Sequence, residues 1–276
     1  MSTISAADVN KLRQMTGAGM MDCKKALTET NGDFDAAVDF LRKKGAKVSA
    51  ARADRDAKEG AIIAKTSADN KLGIIIQLSC ETDFVAKNED FVKFANSIAD
   101  LALANKPANA DALKALDLGG QALSERLMEQ VGKIGEKIDV VKYEIVEANN
   151  VVAYIHGSNR LGVLVAMNNA PTESNLAAGR DAAMQVAALN PAAVDKDGVD
   201  STVIEREMEI AKDQIRAEGK PENMIEKIAQ GKLAKFYKEN TLLNQEFVKD
   251  GSLTVAQMLD KAEKGLTVTL FKRISL

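Results

Sequence analysis

A chain of 276 residues is longer than one compact core usually accommodates, so two or more structural units are expected. Hydrophobic residues at 46% and charged residues at 28% describe a soluble globular protein, and a formal net charge of -3 gives no overall bias toward nucleic acid. No apolar run approaches membrane-spanning length and the N-terminus carries no signal-like segment, so the expected location is the cytoplasm where the chain is made.

Residues 4–45 read as three short helices. Ser5 stands as an N-cap with Asp8 at N3, and Ile4 and Val9 are placed as a hydrophobic staple. Thr16-Gly17-Ala18-Gly19 breaks the first helix; a second covers residues 20–29 and stops at Asn31-Gly32. Asp33 caps a third, with Phe34, Ala37, Val38 and Leu41 on one face, ending near Gly45. Three helices of this size make a minimal bundle with a small core, and it resembles a ubiquitin-associated (UBA-like) fold. Residues 46–59 are polar and read as a linker, helical in part. The basic run of Arg42, Lys43, Lys44, Lys47, Arg52 and Arg55, diluted by Asp54 and Asp56, reads as a solvated helix face rather than an RNA contact.

Strand patterns follow. Residues 61–64 and 73–80 flank a polar turn at 67–71, as in a β-hairpin. Ile76, Leu78 and Cys80 alternate with Gln77, Ser79 and Glu81, the period of a half-buried strand. Asn88 is placed to cap a helix in which Phe91, Phe94, Ala95, Ile98 and Leu101 recur at helical spacing. Residues 107–120 read as irregular or weakly helical, 121–131 as helix and 139–148 as strand. Then Asn70-Lys71-Leu72-Gly73-Ile74-Ile75-Ile76-Gln77-Leu78 lines up with Asn159-Arg160-Leu161-Gly162-Val163-Leu164-Val165-Ala166-Met167. Each run leads into a helix, so one strand-turn-strand-helix unit occurs twice, each burying a sheet face under its helix.

Beyond residue 200, Ile204, Met208, Ala211 and Ile215 form a heptad-like seam. Gly219-Lys220-Pro221 breaks the helix, and Ile225, Ala229, Leu233 and Phe236 line a return helix. A loop with Phe247 and Val248, a helix near 254–264 and a strand near 266–271 complete the chain. The expected fold class is α+β: a UBA-like three-helix bundle (1–45), a linker (46–59), a two-lobed core of the duplicated units (60–150 and 151–199), a protruding antiparallel coiled coil (200–239) and a return to the second lobe (240–276).

Catalytic signatures are sparse. The single histidine, His156, has no Ser or Cys partner at a telling spacing, and no phosphate-binding loop or dinucleotide fingerprint is present. Cys23 and Cys80 form no CxxC pair, which suits a reducing compartment. A metal site from Cys23, Cys80 and His156 would need three distant segments to converge. An enzyme using Glu81 or Asp83 as an acid-base group is an alternative class, as is a scaffold that binds some other partner through bundle and coiled coil.

The junction Glu81-Thr82-Asp83-Phe84-Val85-Ala86-Lys87 lies between strand and helix. Phe84 there is either folded onto the core or exposed as an aromatic anchor for a partner. The second copy of the repeat has no aromatic at this position, so the scaffold does not demand one. This run, with Leu78, Ser79 and Cys80 before it, resembles a signature of the bacterial elongation factor Ts family. So does Leu12-Arg13-Gln14-Met15-Thr16-Gly17-Ala18-Gly19-Met20-Met21-Asp22-Cys23-Lys24-Lys25-Ala26-Leu27. The resemblance implies a guanine-nucleotide exchange factor for the GTPase elongation factor Tu, with no cofactor, metal, direct nucleic-acid contact or membrane. A homodimer and a 2:2 complex are both compatible with it. It implies that Thr82, Asp83, Phe84 and Val85 dislodge magnesium in the GTPase. It further implies that Met21, Cys23, Lys24, Arg52, Ile134, Gly135, His156 and Val248 contact the partner. Family members usually continue past the last strand into a further helix, which is not found before Leu276.

Overall fold

A computed structural model describes residues 4–276; residues 1–3, part of the N-terminal segment considered above, lie outside the described residues. The chain forms two compact units. One comprises the chain up to Ile63, Ile75–Glu144 and Leu276, and the other Ala64–Ile74 and Ile145–Ser275.

In the first unit, α1 (Ala6–Thr16) opens with the expected capping box between Ser5 and Asp8 and ends at Gly17 in a left-handed conformation. Helices α2 (Met20–Glu29) and α3 (Phe34–Ala51) complete the bundle, Asp33 capping α3 through the Ala36 N–H. Leu12, Cys23, Ala26, Leu27 and Ala37 form its core. The strands β1 (Glu59–Thr66), β2 (Leu72–Cys80) and β3 (Asp139–Glu147) form a sheet of order β1-β2-β3, of which residues 59–63, 75–80 and 139–144 fall in this unit. After β2 come α4 (Asp83–Ala86), α5 (Glu89–Asn105), α6 (Ala110–Lys114) and α7 (Leu123–Ile134). Asn88 caps α5 as expected, accepting from the Asp90 and Phe91 N–H groups.

Two features of this unit differ from expectation. Helix α3 runs to Ala51 rather than stopping near Gly45. Gly45 serves close approach: a Cβ there would stand 2.9 Å from the Met128 carbonyl oxygen, and one on Gly132 would stand 2.7 Å from the Gly45 Cα. Backbone meets backbone where α3 crosses α7, which only glycine permits. Strand β2 is buried along its whole length, not on alternate residues. It is the central strand of its sheet, and a strand covered on both faces loses the alternation. The polar side chains caught inside pair with each other, Gln77 Nε2 donating to Ser79 Oγ at 3.3 Å.

The second unit holds an antiparallel sheet of β4 (Asn150–His156), β5 (Leu161–Met167) and β8 (Val268–Ser275), in the order β4-β5-β8. Strand β8 extends past the expected end near 271 because β5 offers it partners as far as Leu161 opposite Ser275. Helix α8 (Glu173–Leu189) buries Ala178, Ala182, Ala183 and Val186 in a core with Val163, Val165, Leu259 and Val268. The duplication is visible in detail. Asn70 and Asn159, at matched turn positions, both have positive φ (56° and 66°). The following helices, α5 and α8, each have 17 residues and end on a left-handed residue, Lys106 and Asn190.

Helices α9 (Ser201–Ala217) and α10 (Glu222–Asn240) form the antiparallel hairpin, broken at Gly219 with φ 72°. Its buried seam is Ala211, Ile215, Ile225 and Ala229, with Met208 and Ile228 packed against it. Ile204, Leu233 and Phe236, expected on that seam, are half-buried. The segment expected as a loop around Phe247 is a small sheet of β6 (Glu246–Phe247) and β7 (Asp250–Thr254), followed by α11 (Val255–Ala262). Among the described residues no helix is long and apolar enough to cross a membrane, and no His, Cys, Asp and Glu group is placed to hold a metal ion.

Candidate functional site

Strand β2 ends at Cys80, and α4 begins at Asp83 with Thr82 as its N-cap. A helix of 4 residues cannot persist on its own propensity, because nucleation is unfavourable and too few bonds repay it. Two carboxylates hold this one. Glu136, just past the end of α7, accepts the Glu81 and Thr82 N–H groups on Oε2, both at 3.0 Å, and the Thr82 hydroxyl on Oε1 at 2.6 Å. In return, Glu81 Oε1 accepts the Lys137 N–H at 2.7 Å. The same carboxylate receives the guanidinium of Arg52 at 2.7 Å and that of Arg55 at 3.3 Å. Residues 81–82 and 136–137 are thereby bonded in both directions. Burial by itself would raise the Glu81 carboxyl. The Lys137 and Arg52 hydrogen bonds, with the charges of Arg52 and Arg55, outweigh it and hold the group below the usual carboxylate range.

The clasped turn presents Phe84 outward, 82% exposed. Of the two placements left open by the sequence, the ring takes the surface one. Asp83 beside it is bonded to Lys87 at 2.7 Å, one helical turn on, and that bond lowers its carboxyl. With both carboxyls depressed and committed to cations, neither Glu81 nor Asp83 carries a proton at neutral pH to serve as a general acid. Val85 is half-buried and lines a groove of about 420 Å³ with Phe84, Phe91, Gln130, Lys133 and Ile134. Beneath the turn, Cys80 donates its thiol to the Thr82 carbonyl at 3.2 Å. Burial, then the carboxylates of Glu136 and Glu59, push that thiol up to about 12, so it stays protonated and inert.

The remaining residues suggested by the sequence are placed unequally. On α2, Met21 is 75% exposed and Lys24 is exposed, but Cys23 is fully buried with its thiol toward the Ala18 carbonyl. The Cys23 side chain thus belongs to the small apolar core of the bundle, between the exposed Met21 and Lys24. Arg52 is spent on Glu81. Ile134 closes α7 at the groove, and Gly135 caps it at φ 80°, its N–H donating to the Val131 carbonyl and no heavy atom lying within 4 Å of where a Cβ would stand. In the second unit His156 is exposed, its Nδ1 2.8 Å from the Tyr154 hydroxyl. Val248 is 51% exposed, its N–H donating to Gln185 Oε1 at 2.9 Å. The sequence reading missed Glu136 and Lys137. Their partners are more than 50 residues away, and a pairing at that separation leaves no periodic signal.

A family model described as Elongation factor TS matches residues 81–276. Over 277 residues, covering 100% of both chains, the sequence is 56% identical to Elongation factor Ts of Cytophaga hutchinsonii. The chain belongs to the elongation factor Ts family. It is also 57% identical to Elongation factor Ts of Amoebophilus asiaticus over 271 residues, 98% of each chain, and 51% identical to that of Christiangramia forsetii over 276 residues, 100% of each. Membership makes it a translation elongation factor. The family match starts at Glu81, so it spans the clasped turn, the end of α7, His156 and Val248, and the full-length relatives carry the similarity through the bundle.

Proposed function

We propose that this chain binds elongation factor Tu in its GDP-bound state and speeds the release of GDP and its replacement by GTP. It acts in the cytoplasm and transforms no substrate. The observation that carries this reading is the solvent-facing Phe84 on a turn held by Glu81 and Glu136. A pre-ordered aromatic loses little conformational freedom on binding and can displace structure in its partner. Residues 82–85 enter the GTPase beside its magnesium and phosphate region, with Phe84 as wedge and Asp83 as polar anchor. Magnesium bridges phosphate oxygens to the protein, so its loss unpairs strong interactions at the nucleotide.

Magnitudes show that the wedge does not act alone. A ~10^4-fold faster release takes about 5.5 kcal/mol off the barrier. One buried aromatic supplies roughly 2 to 3 kcal/mol. The remainder comes from an interface that favours the open partner, to which Met21, Lys24, Ile134, Gly135, His156 and Val248 contribute. The experiment is release of labelled GDP from elongation factor Tu with and without this chain. Acceleration by catalytic amounts is expected; release at the spontaneous rate overturns the reading.

A further inference from the structure

We propose that Glu136 is a positioning residue for nucleotide exchange. Its carboxylate presets the turn that carries Phe84 and locks it to the Ile134 and Gly135 corner, so that wedge and corner meet the partner as one rigid body. The inference rests on the wedge reading above and adds a residue to which that reading assigns no role.

Glu136 accepts from three donors, and all three lie on the turn: the N–H groups of Glu81 and Thr82 and the Thr82 hydroxyl. Thr82 is the N-cap of α4, and its hydroxyl oxygen also accepts the Val85 N–H, at 3.4 Å. The Glu136 carboxylate thus fixes the rotamer of the group that starts the short helix on which Phe84 stands. Charge-assisted bonds of this kind are short and strong, and here they replace helix propensity that 4 residues cannot supply. The two glutamates are not equivalent. Glu81 is anchored independently by Arg52 and Arg55 and stays in place if Glu136 is lost. Losing Glu136 frees the turn itself. A wedge must transmit force to its target, and an aromatic on a yielding turn is deflected instead of displacing the structure it meets.

The test is a double-mutant cycle on the full-length chain, read by the maximal rate of GDP release from elongation factor Tu at saturating factor, with the half-saturating concentration recorded separately. Glu136→Gln keeps the shape but replaces one acceptor oxygen by a donor. It should lower the maximal rate about tenfold, the scale of one lost charge-assisted hydrogen bond, with little change in half-saturation or thermal midpoint. In a Phe84→Ala background it should lower the rate no further, because it acts through that ring. Amide hydrogen exchange provides a readout free of activity: the Glu81 and Thr82 amides should lose protection in Glu136→Gln while those of β2 keep theirs. If the glutamine variant folds poorly, Glu136→Asp carries the same measurements. Unchanged rate and protection, equal losses in both backgrounds, or a loss that tracks the unfolded fraction each overturn the positioning role. A Phe84→Ala protein that exchanges normally overturns the wedge reading and this one with it, whereas multiplicative losses overturn this one alone.

Discussion

Phe84 forgoes the burial that a phenylalanine normally gains, and at 82% exposure it has little stability to lose. Phe84→Ala should shift unfolding free energy by less than about 1 kcal/mol, against roughly 3 to 5 for a buried phenylalanine. GDP release should fall sharply, and Asp83→Ala should act in the same direction. Lys93→Ala, exposed on α5 with loose ion pairs at 3.7 and 3.8 Å, should alter neither quantity. A denaturation midpoint and a release rate for each variant decide it; a large midpoint shift for Phe84→Ala would place the ring's role in the fold. Glu81 makes a second prediction at this scale. Its folded carboxyl titrates below the usual 4.5. The stabilisation is therefore present at neutral pH and lost as pH falls from 4.5 through the lower folded value. Glu81→Gln should be less stable than the parent near neutrality, and the gap should close as pH falls through the parent's lowered folded value and its carboxylate takes up a proton. A gap independent of pH would mean that shape, not charge, holds the brace.

Helix contacts distinguish glycines that a hydrophobic pattern treats alike. An alanine in a helix interior gains about 1 kcal/mol over glycine. At Gly132 that gain meets a backbone atom: the new Cβ would lie 2.7 Å from the Gly45 Cα, and neither helix axis can give way cheaply. Overpacking of this kind costs roughly 1 to 3 kcal/mol, so Gly132→Ala should be net destabilising. Gly231 in α10 has nothing within 4 Å of a Cβ, so Gly231→Ala should raise stability by about 0.5 to 1 kcal/mol. Urea midpoints of the two variants check both signs. The α3–α7 crossing also links the bundle carrying Met21 and Lys24 to the helix that ends at Ile134, so Gly132→Ala should disturb exchange as well as stability.

Across the whole molecule, the hairpin of α9 and α10 buries its own seam. Its base is tied by the Ala192 N–H to the Asn240 carbonyl at 2.8 Å and the Leu242 N–H to the Ala193 carbonyl at 2.9 Å. Replacing residues 200–239 by a short Gly-Ser bridge should leave the rest of the chain folded. Loss of the native circular-dichroism spectrum in the trimmed protein would show that the hairpin belongs to the core. Partner binding adds a thermodynamic prediction. If the chain weakens GDP binding to elongation factor Tu, GDP must weaken the chain's own binding by the same factor. Titrations with and without saturating GDP measure it, and equal affinities would contradict exchange.

What the sequence determined by itself is local or repetitive. Ser5, Asp33 and Asn88 act on amides within three residues, so the starts of α1, α3 and α5 were legible from side-chain chemistry. The duplicated strand pair was legible because the same pattern occurs twice, and the two long motifs carried the family. Phe84 was legible as a candidate through its absence from the second copy, but not as an exposed ring. Tertiary structure alone decided that exposure, the full burial of β2, the passage of α3 through Gly45, the inward turn of Cys23 and the bonds that Thr82 donates to Glu136. Each depends on a neighbour brought from far along the chain, Glu136 from 54 residues away. Hydrophobic period and helix caps encode what a residue does to its own element, and they are silent about which distant backbone comes to rest against it.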